Sequence, residues 1–395
     1  MRGWICWLCL LSGLAGLDAP AARAGSLTDV FRRPEFANLG LAPLGNALAT
    51  TVASSYPVAS ASSSVIYAYN PALETFERRT GVAGPLFGER AETIGRGELN
   101  LGLAYSYIHF TTINGDDLGS LPSRRSVGGR ILFIPKPKNA VLKNGRFTTF
   151  LPVQVTADID VTAHQLAASV TYGVTSRLDV NLTVPLLHTS LDLTANGLAP
   201  DPRFPQFALQ NGRTITVSPS GSADATGVGD VLLRAKYLIH DGAPVKVAAG
   251  LGLALPSGNE NDFQGAGATR VQPTLILSRL FTDRFETFLD LGVDFDANDV
   301  NRSAVRWAAG GTAQVMEALT VALTFLGRNE FGAQAEPIRL PFFFQIERND
   351  IYDASVGLRW RFAETGILSA NVVLPLNRDG VRAIAIPTLD VEYAF

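Results

Sequence analysis

Beyond residue 24 the chain contains no cysteine; its two, Cys6 and Cys9, both lie in the first ten residues. Once an N-terminal leader is removed, disulfides and thiolate metal sites are therefore excluded. Charge is also scarce. Asp, Glu, Lys and Arg make up 17% of the residues, against roughly 25% in soluble proteins, and a net charge of -3 offers no basic footprint for nucleic acid. Yet no run of about 18 apolar residues follows the leader, so membrane helices do not account for the missing charge. A chain too apolar for water and without such helices fits a transmembrane β-barrel. Its strands turn alternate residues to lipid and to lumen, so only half the positions need be apolar.

The first residues read as an export signal. Arg2 precedes an apolar run from Trp4 to Leu17 that is too short to span a bilayer, and Ala22-Arg23-Ala24 fits a small-x-small cleavage site. Residues 1–24 are thus expected to be a signal peptide cleaved after Ala24. Neither cysteine ends the apolar run in a lipidation motif. Export followed by barrel insertion places the protein in the bacterial outer membrane, with that membrane's lipid and its assembly machinery as partners.

From about residue 94 the chain breaks into segments of period-two hydrophobicity. In Phe285–Asp296, residues Phe285, Thr287, Leu289, Leu291, Val293 and Phe295 share one face, opposite Glu286, Phe288, Asp290, Gly292, Asp294 and Asp296. In residues 245–255, Val247, Leu251 and Leu253 stand opposite Lys246, Ala248, Gly250 and Gly252, and small residues on the inner face suit a crowded lumen. Short connections at 173–176, 241–244, 282–284, 316–318 and 363–366 read as periplasmic turns. The stretches 111–152, 195–226, 257–268, 296–303 and 328–350 read as outer loops. The segments 94–110, 153–172, 177–193, 228–240, 245–256, 269–281, 285–296, 303–315, 319–328, 351–362, 367–377 and 382–395 predict an all-β fold, an antiparallel up-and-down barrel of twelve strands occupying residues 94–395. The last segment places Ala383, Ala385, Pro387, Leu389, Val391, Tyr393 and Phe395 on one face. Its aromatic end, Tyr393 and Phe395, resembles the signal read by the barrel assembly machinery.

Residues 36–73 carry no charged side chain and include Pro43, Pro57 and Pro71, which rules out an ordinary membrane helix. Twelve strands spaced about 4.8 Å and tilted about 40° enclose a hole of roughly 10 Å after side chains are counted. Residues 25–93 are expected to plug it. The alternatives are a periplasmic segment or an extra hairpin, which would raise the count to fourteen strands.

Charged residues on the predicted inner faces are the candidate lumen-lining groups: Asp230, Arg234 and Lys236 on one strand, Glu286, Asp290 and Asp294 on another, and Arg306, Arg359 and Arg361 on later ones. They either pair with one another and with the plug or form a constriction that selects polar solutes. His109, His164, His188 and His240 are scattered over different segments and read as interfacial or loop residues. His188 with Ser190 is the nearest approach to a Ser-His pair, but no orienting partner is evident. The run from Gly227 to Asp230 lacks the lysine of a phosphate loop. Asp296, Asp299 and Asp350 do not have calcium-loop spacing. No catalytic residue, metal ligand or cofactor is assigned, and the protein is not expected to be an enzyme.

The stretch from Tyr172 to Pro185 (YGVTSRLDVNLTVP), then Gly227 to Tyr237 (GVGDVLLRAKY) and Leu255 to Glu260 (LPSGNE), resembles the outer-membrane transporter family named for the meta-pathway of phenol degradation. The tetrapeptide Tyr69 to Ala72 (YNPA) looks like part of the N-terminal hatch of FadL-like channels. The resemblance implies passive uptake of a small hydrophobic or aromatic substrate. A general porin for hydrophilic solutes is the alternative. A membrane enzyme or adhesin fits less well, because the longest outer loops have only about forty residues.

Overall fold

The computed structural model describes residues 25–60, 67–70, 75–78, 82–121, 140–148, 152–202, 205–332 and 350–395. The expected leader and the Pro71 and Ala72 end of the YNPA motif lie outside them. Twelve strands form one closed antiparallel ring. They are β1 (Leu99–Ile113), β2 (Gln154–Thr175), β3 (Leu178–Ala199), β4 (Ser220–Val228 continued by Val231–His240), β5 (Lys246–Leu255), β6 (Arg270–Thr282), β7 (Phe285–Asp296), β8 (Ala304–Met316), β9 (Leu319–Glu330), β10 (Ile351–Arg361), β11 (Gly366–Pro375) and β12 (Val381–Ala383 continued by Ile386–Ala394). Each pairs with the next, and β12 returns to β1 through Tyr393↔Leu101 and Thr388↔Ser106. Reciprocal backbone bonds between Leu99 and Phe395 complete the seam. The extra-hairpin option of fourteen strands does not hold: Tyr67–Asn70 and Thr75–Arg78 pair only with each other, outside the barrel sheet.

At one end the strands are joined by two to five residues. The other end carries the long connections. Among the described residues no helix is long and apolar enough to cross a membrane, a fact that does not bear on strands. The outer surface meets the requirement instead, because Leu103, Leu182, Leu251, Leu291, Leu323, Leu358 and Leu389 all point outward and are exposed. An apolar exterior on a closed ring, with no unpaired edge, is what hydrocarbon tolerates.

In β2 and β3 the polarity of the two faces reverses partway along. From Leu166 to Val174 and from Leu178 to Leu186 the outward residues are apolar, and inward positions hold Ser169, Thr171, Asp179, Asn181 and Thr183. Toward the long-loop end the outward residues become Asp158, Asp160, His164, His188, Asp192 and Thr194, and the inward ones become Val155, Ile159, Val161, Leu191 and Leu193. β3 therefore runs on past its expected end at residue 193, whereas β2 begins about where expected. The stretch 195–226, expected to be loop, holds the end of β3 and most of the Ser220–Val228 segment of β4.

That apolar inner wall is covered by helices α1 (Leu27–Arg32), α2 (Pro34–Ala37) and α3 (Ala42–Ser54). Ser26 and Asp29 form a capping box at the start of α1, and Pro34 and Pro43 sit at first-turn positions, where a missing N–H costs nothing. The Ser26 backbone N–H donates to Asp29 at 2.9 Å and holds its carboxyl below the usual range. Phe31, Phe36, Leu44, Leu48 and Val52 pack into one core with Ile159, Val161, Leu191 and Leu193.

The final strand also departs from the sequence pattern. Ala383 is buried with the inner core rather than lying on the outward face of Leu389 and Tyr393, because β12 is interrupted between Ala383 and Ile386 and the alternation slips there.

Candidate functional site

Residues 82–94 have no regular secondary structure, so their backbone groups must find partners elsewhere. Inward-facing side chains of the barrel supply many of them. Glu89 N–H donates to Asp290 (2.7 Å), Ala91 N–H to the Ser278 hydroxyl (3.2 Å) and Ile94 N–H to Asp179 (3.0 Å). Lys236 Nζ donates to the carbonyls of Arg90 (3.1 Å) and Glu92 (2.7 Å), and Thr324 to that of Phe87 (3.1 Å). Two ion pairs reinforce the contacts: Arg90 with Glu286, which is buried, and Lys246 with Glu92 at 3.0 Å, which is partly buried. At the short-turn end the path is tight. Gly173 exchanges backbone bonds with Gly97 and Glu98, and a Cβ on Gly173 would lie 1.7 Å from the Gly95 carbonyl oxygen. Gly88, at φ +98°, leaves no room for a Cβ beside the Phe288 ring.

Between this segment and the helices lies a chamber of about 370 Å³. It exists because the inner faces of β5, β7 and β8 carry Gly250, Gly252, Ala254, Gly292 and Ala308 where larger side chains would fill the space. One part of its wall is apolar, with Phe87, Leu232, Ile276, Leu326 and Val373. Another part is charged, with Arg234, Arg270, Arg306, Arg328 and Arg382 alternating with Asp230, Asp290, Asp294 and Asp353.

The nine charged positions singled out by alternation fall into different environments. Asp230, in the interruption of β4, accepts the backbone N–H groups of Gly258 (3.1 Å) and Ala266 (2.8 Å). Arg234 donates to Asn181, Thr183 and the Ala59 carbonyl, each at 3.0 Å, and to Glu89 at 3.4 Å. Asp294 stands 3.6 Å from Arg270 and 4.0 Å from Arg306. Lys236, Glu286 and Asp290 hold residues 89–92 as described. Arg359 is fully buried and grips the Gly84 carbonyl and Glu392, with Asp390 at 3.8 Å. Arg361 is apart from the chamber, at the short-turn rim, where it donates to the Glu317 carbonyl. Alternation did not find Arg270, Arg328 or Arg382. The first two lie at strand positions with inward parity. Arg382 lies next to the interruption of β12.

Three of the four histidines, scattered in sequence, come together on the outer face where the polarity reverses. His164 and His188 are cross-strand neighbours with ring centroids 6.1 Å apart, Tyr105 hydrogen-bonds His164 at 2.8 Å, and His109 meets Asp160 at 3.1 Å. They lie within long strands, where the outward face changes from apolar to polar. His188 is bonded to Thr226 and Ser190 to Thr162, so no Ser-His hydrogen bond forms. Asp296 is occupied by the N–H groups of Asn298 and Asp299, and Asp350 by that of Glu330. No metal-binding cluster occurs among the described residues. Tyr393 and Phe395 point outward at the short-turn end with their rings 4.8 Å apart.

With the barrel and its chamber established, a family model described as "Putative MetA-pathway of phenol degradation" matches residues 139–331. Over this stretch, just under half of its length, the chain is similar to that family. The match runs from before β2 to the end of β9 and includes the family-like runs at Tyr172 to Pro185, Gly227 to Tyr237 and Leu255 to Glu260. Among solved structures, an outer membrane channel from Pseudomonas putida F1 is similar over 77% of this chain and 98% of its own, at 13% identity and a TM-score of 0.49. A Pseudomonas aeruginosa FadL homologue aligns over 76% of this chain and 90% of its own (12% identity, TM-score 0.35). The P. putida toluene transporter TodX aligns over 75% and 89% (15% identity, TM-score 0.36). At such identities the likeness concerns the barrel alone. No curated protein matches the chain.

Proposed function

We propose that this barrel is a passive channel of the bacterial outer membrane for small hydrophobic or aromatic molecules. Residues 1–24 act as its export signal, residues 25–93 as its plug and the Tyr393 to Phe395 end as its assembly signal. The reading is carried by one observation: a chamber of about 370 Å³ lies inside a closed ring whose exterior is apolar, and that volume suits a small ligand. The lumen-facing charges have two tasks in this reading. Lys236, Glu286, Asp290 and Arg359 anchor the plug, and Asp230, Arg234, Asp294 and Arg306 face the solute. Proteoliposomes holding the full chain should take up small aromatic compounds faster than empty liposomes. Equal rates overturn the reading.

The charged part of the chamber wall favours a second reading, a porin for hydrophilic solutes. That reading requires stable ion conductance in planar bilayers. Its absence, with aromatic uptake intact, decides for the first.

A further inference from the structure

The charges on the chamber wall are unevenly matched. Every carboxylate bordering it accepts a hydrogen bond from the protein: Glu89 from Arg234, Asp230 from two backbone N–H groups, Asp290 from Glu89, Asp294 from Gln272 and Asp353 from Arg382. Arg234, Arg328 and Arg382 likewise donate to protein oxygens. Arg306 does not. Among the described residues its one ionic contact is Asp294, at 4.0 Å, and Asp294 is also shared with Arg270 at 3.6 Å. The Arg306 side chain is 43% exposed, against 10% for Arg270 and 11% for Arg328.

Its position is also costly. In the β8–β9 register Arg306 lies directly opposite Arg328, and like charges facing each other across a strand pair destabilise it. A guanidinium offers five donors in a planar fork that matches a carboxylate. Here the fork opens into a chamber that also carries the apolar surfaces of Phe87, Leu232 and Ile276.

We propose that the chamber binds a small organic monocarboxylate, its carboxylate held by Arg306 and its apolar body resting against the uncharged part of the wall. The inference rests on the channel reading and narrows its solute class. A single unmatched guanidinium amid carboxylates favours one negative charge over two, since a dianion meets Asp294 and Asp230 as like charges.

The test compares benzoate with its neutral counterpart benzamide, titrated calorimetrically into the full chain in detergent. Benzoate is expected to bind about tenfold more tightly, the equivalent of one charge-assisted hydrogen bond. Arg306→Gln should erase that preference, so that benzoate binds no more tightly than benzamide, and Arg306→Lys should keep part of it. Retained resistance to SDS at room temperature shows that each variant is folded. Equal affinities in the unaltered protein, no binding of either probe, or a preference that survives in Arg306→Gln each overturns the proposal. Binding with the expected preference but without uptake in proteoliposomes overturns the channel reading and leaves the site intact.

Discussion

The residues that hold the lumen together are charges placed where water is scarce. Arg90 and Glu286 are both almost wholly buried and paired with each other. Removing one member of such a pair leaves the other charge uncompensated, at a cost of about 3 to 5 kcal/mol. Glu286→Gln should therefore lower the temperature at which the barrel loses its SDS-resistant, fast-migrating form in gel electrophoresis. Arg361→Gln, at the rim, should leave that temperature nearly unchanged, since exposed polar contacts contribute little. Equal shifts for the two variants would contradict the pairing described here. Glu286 was recognisable as inward-facing from alternation. Its partner was not, because residues 82–94 follow no period and their contacts come from tertiary structure alone.

Among the elements, β2 and β3 carry a record of their surroundings. The outward apolar stretch of β3 runs from Leu178 to Leu186, and nine residues at about 3.3 Å each, tilted about 40°, rise roughly 20 Å, close to the apolar band of such barrels. Leu182 lies at its centre. Thr194 also points outward but stands beyond the His164 and His188 boundary. Leu182→Arg should cost about 2 to 4 kcal/mol of folding free energy in lipid, whereas Thr194→Arg should stay within about 0.5 kcal/mol. Denaturant titration of barrels refolded into vesicles measures both. A comparable loss at both positions would mean that the polarity reversal does not mark the membrane surface. The reversal also explains why alternation in the sequence predicts an end of β3 at residue 193 and a loop over the start of β4. Above the boundary, apolar residues face inward to receive helices that the strand pattern itself does not announce.

For the whole molecule, barrel and N-terminal segment depend on each other. Lys236, Asp179, Asp290 and Arg359 find partners in residues 84–94, and the inner wall of β2 and β3 finds its cover in α1 and α3. A chain joining the leader directly to residue 94 should therefore insert, if at all, as a less heat-stable barrel with several-fold larger conductance than the full chain. Unchanged conductance would count against the plug reading. The chamber belongs to this scale too, since it is bounded by groups drawn from both ends of the chain.

Taken alone, the sequence determined the ring. Alternation at period two, short turns between long loops and the lack of charge dictate twelve strands with a lipid-facing exterior, because hydrocarbon admits no unpaired backbone and rewards one apolar residue in two. Only the tertiary structure decided what fills that ring. An irregular segment, three helices and an unmatched Arg306 are arranged by contacts between residues far apart in the chain, and such contacts leave no periodic trace in the order of the amino acids.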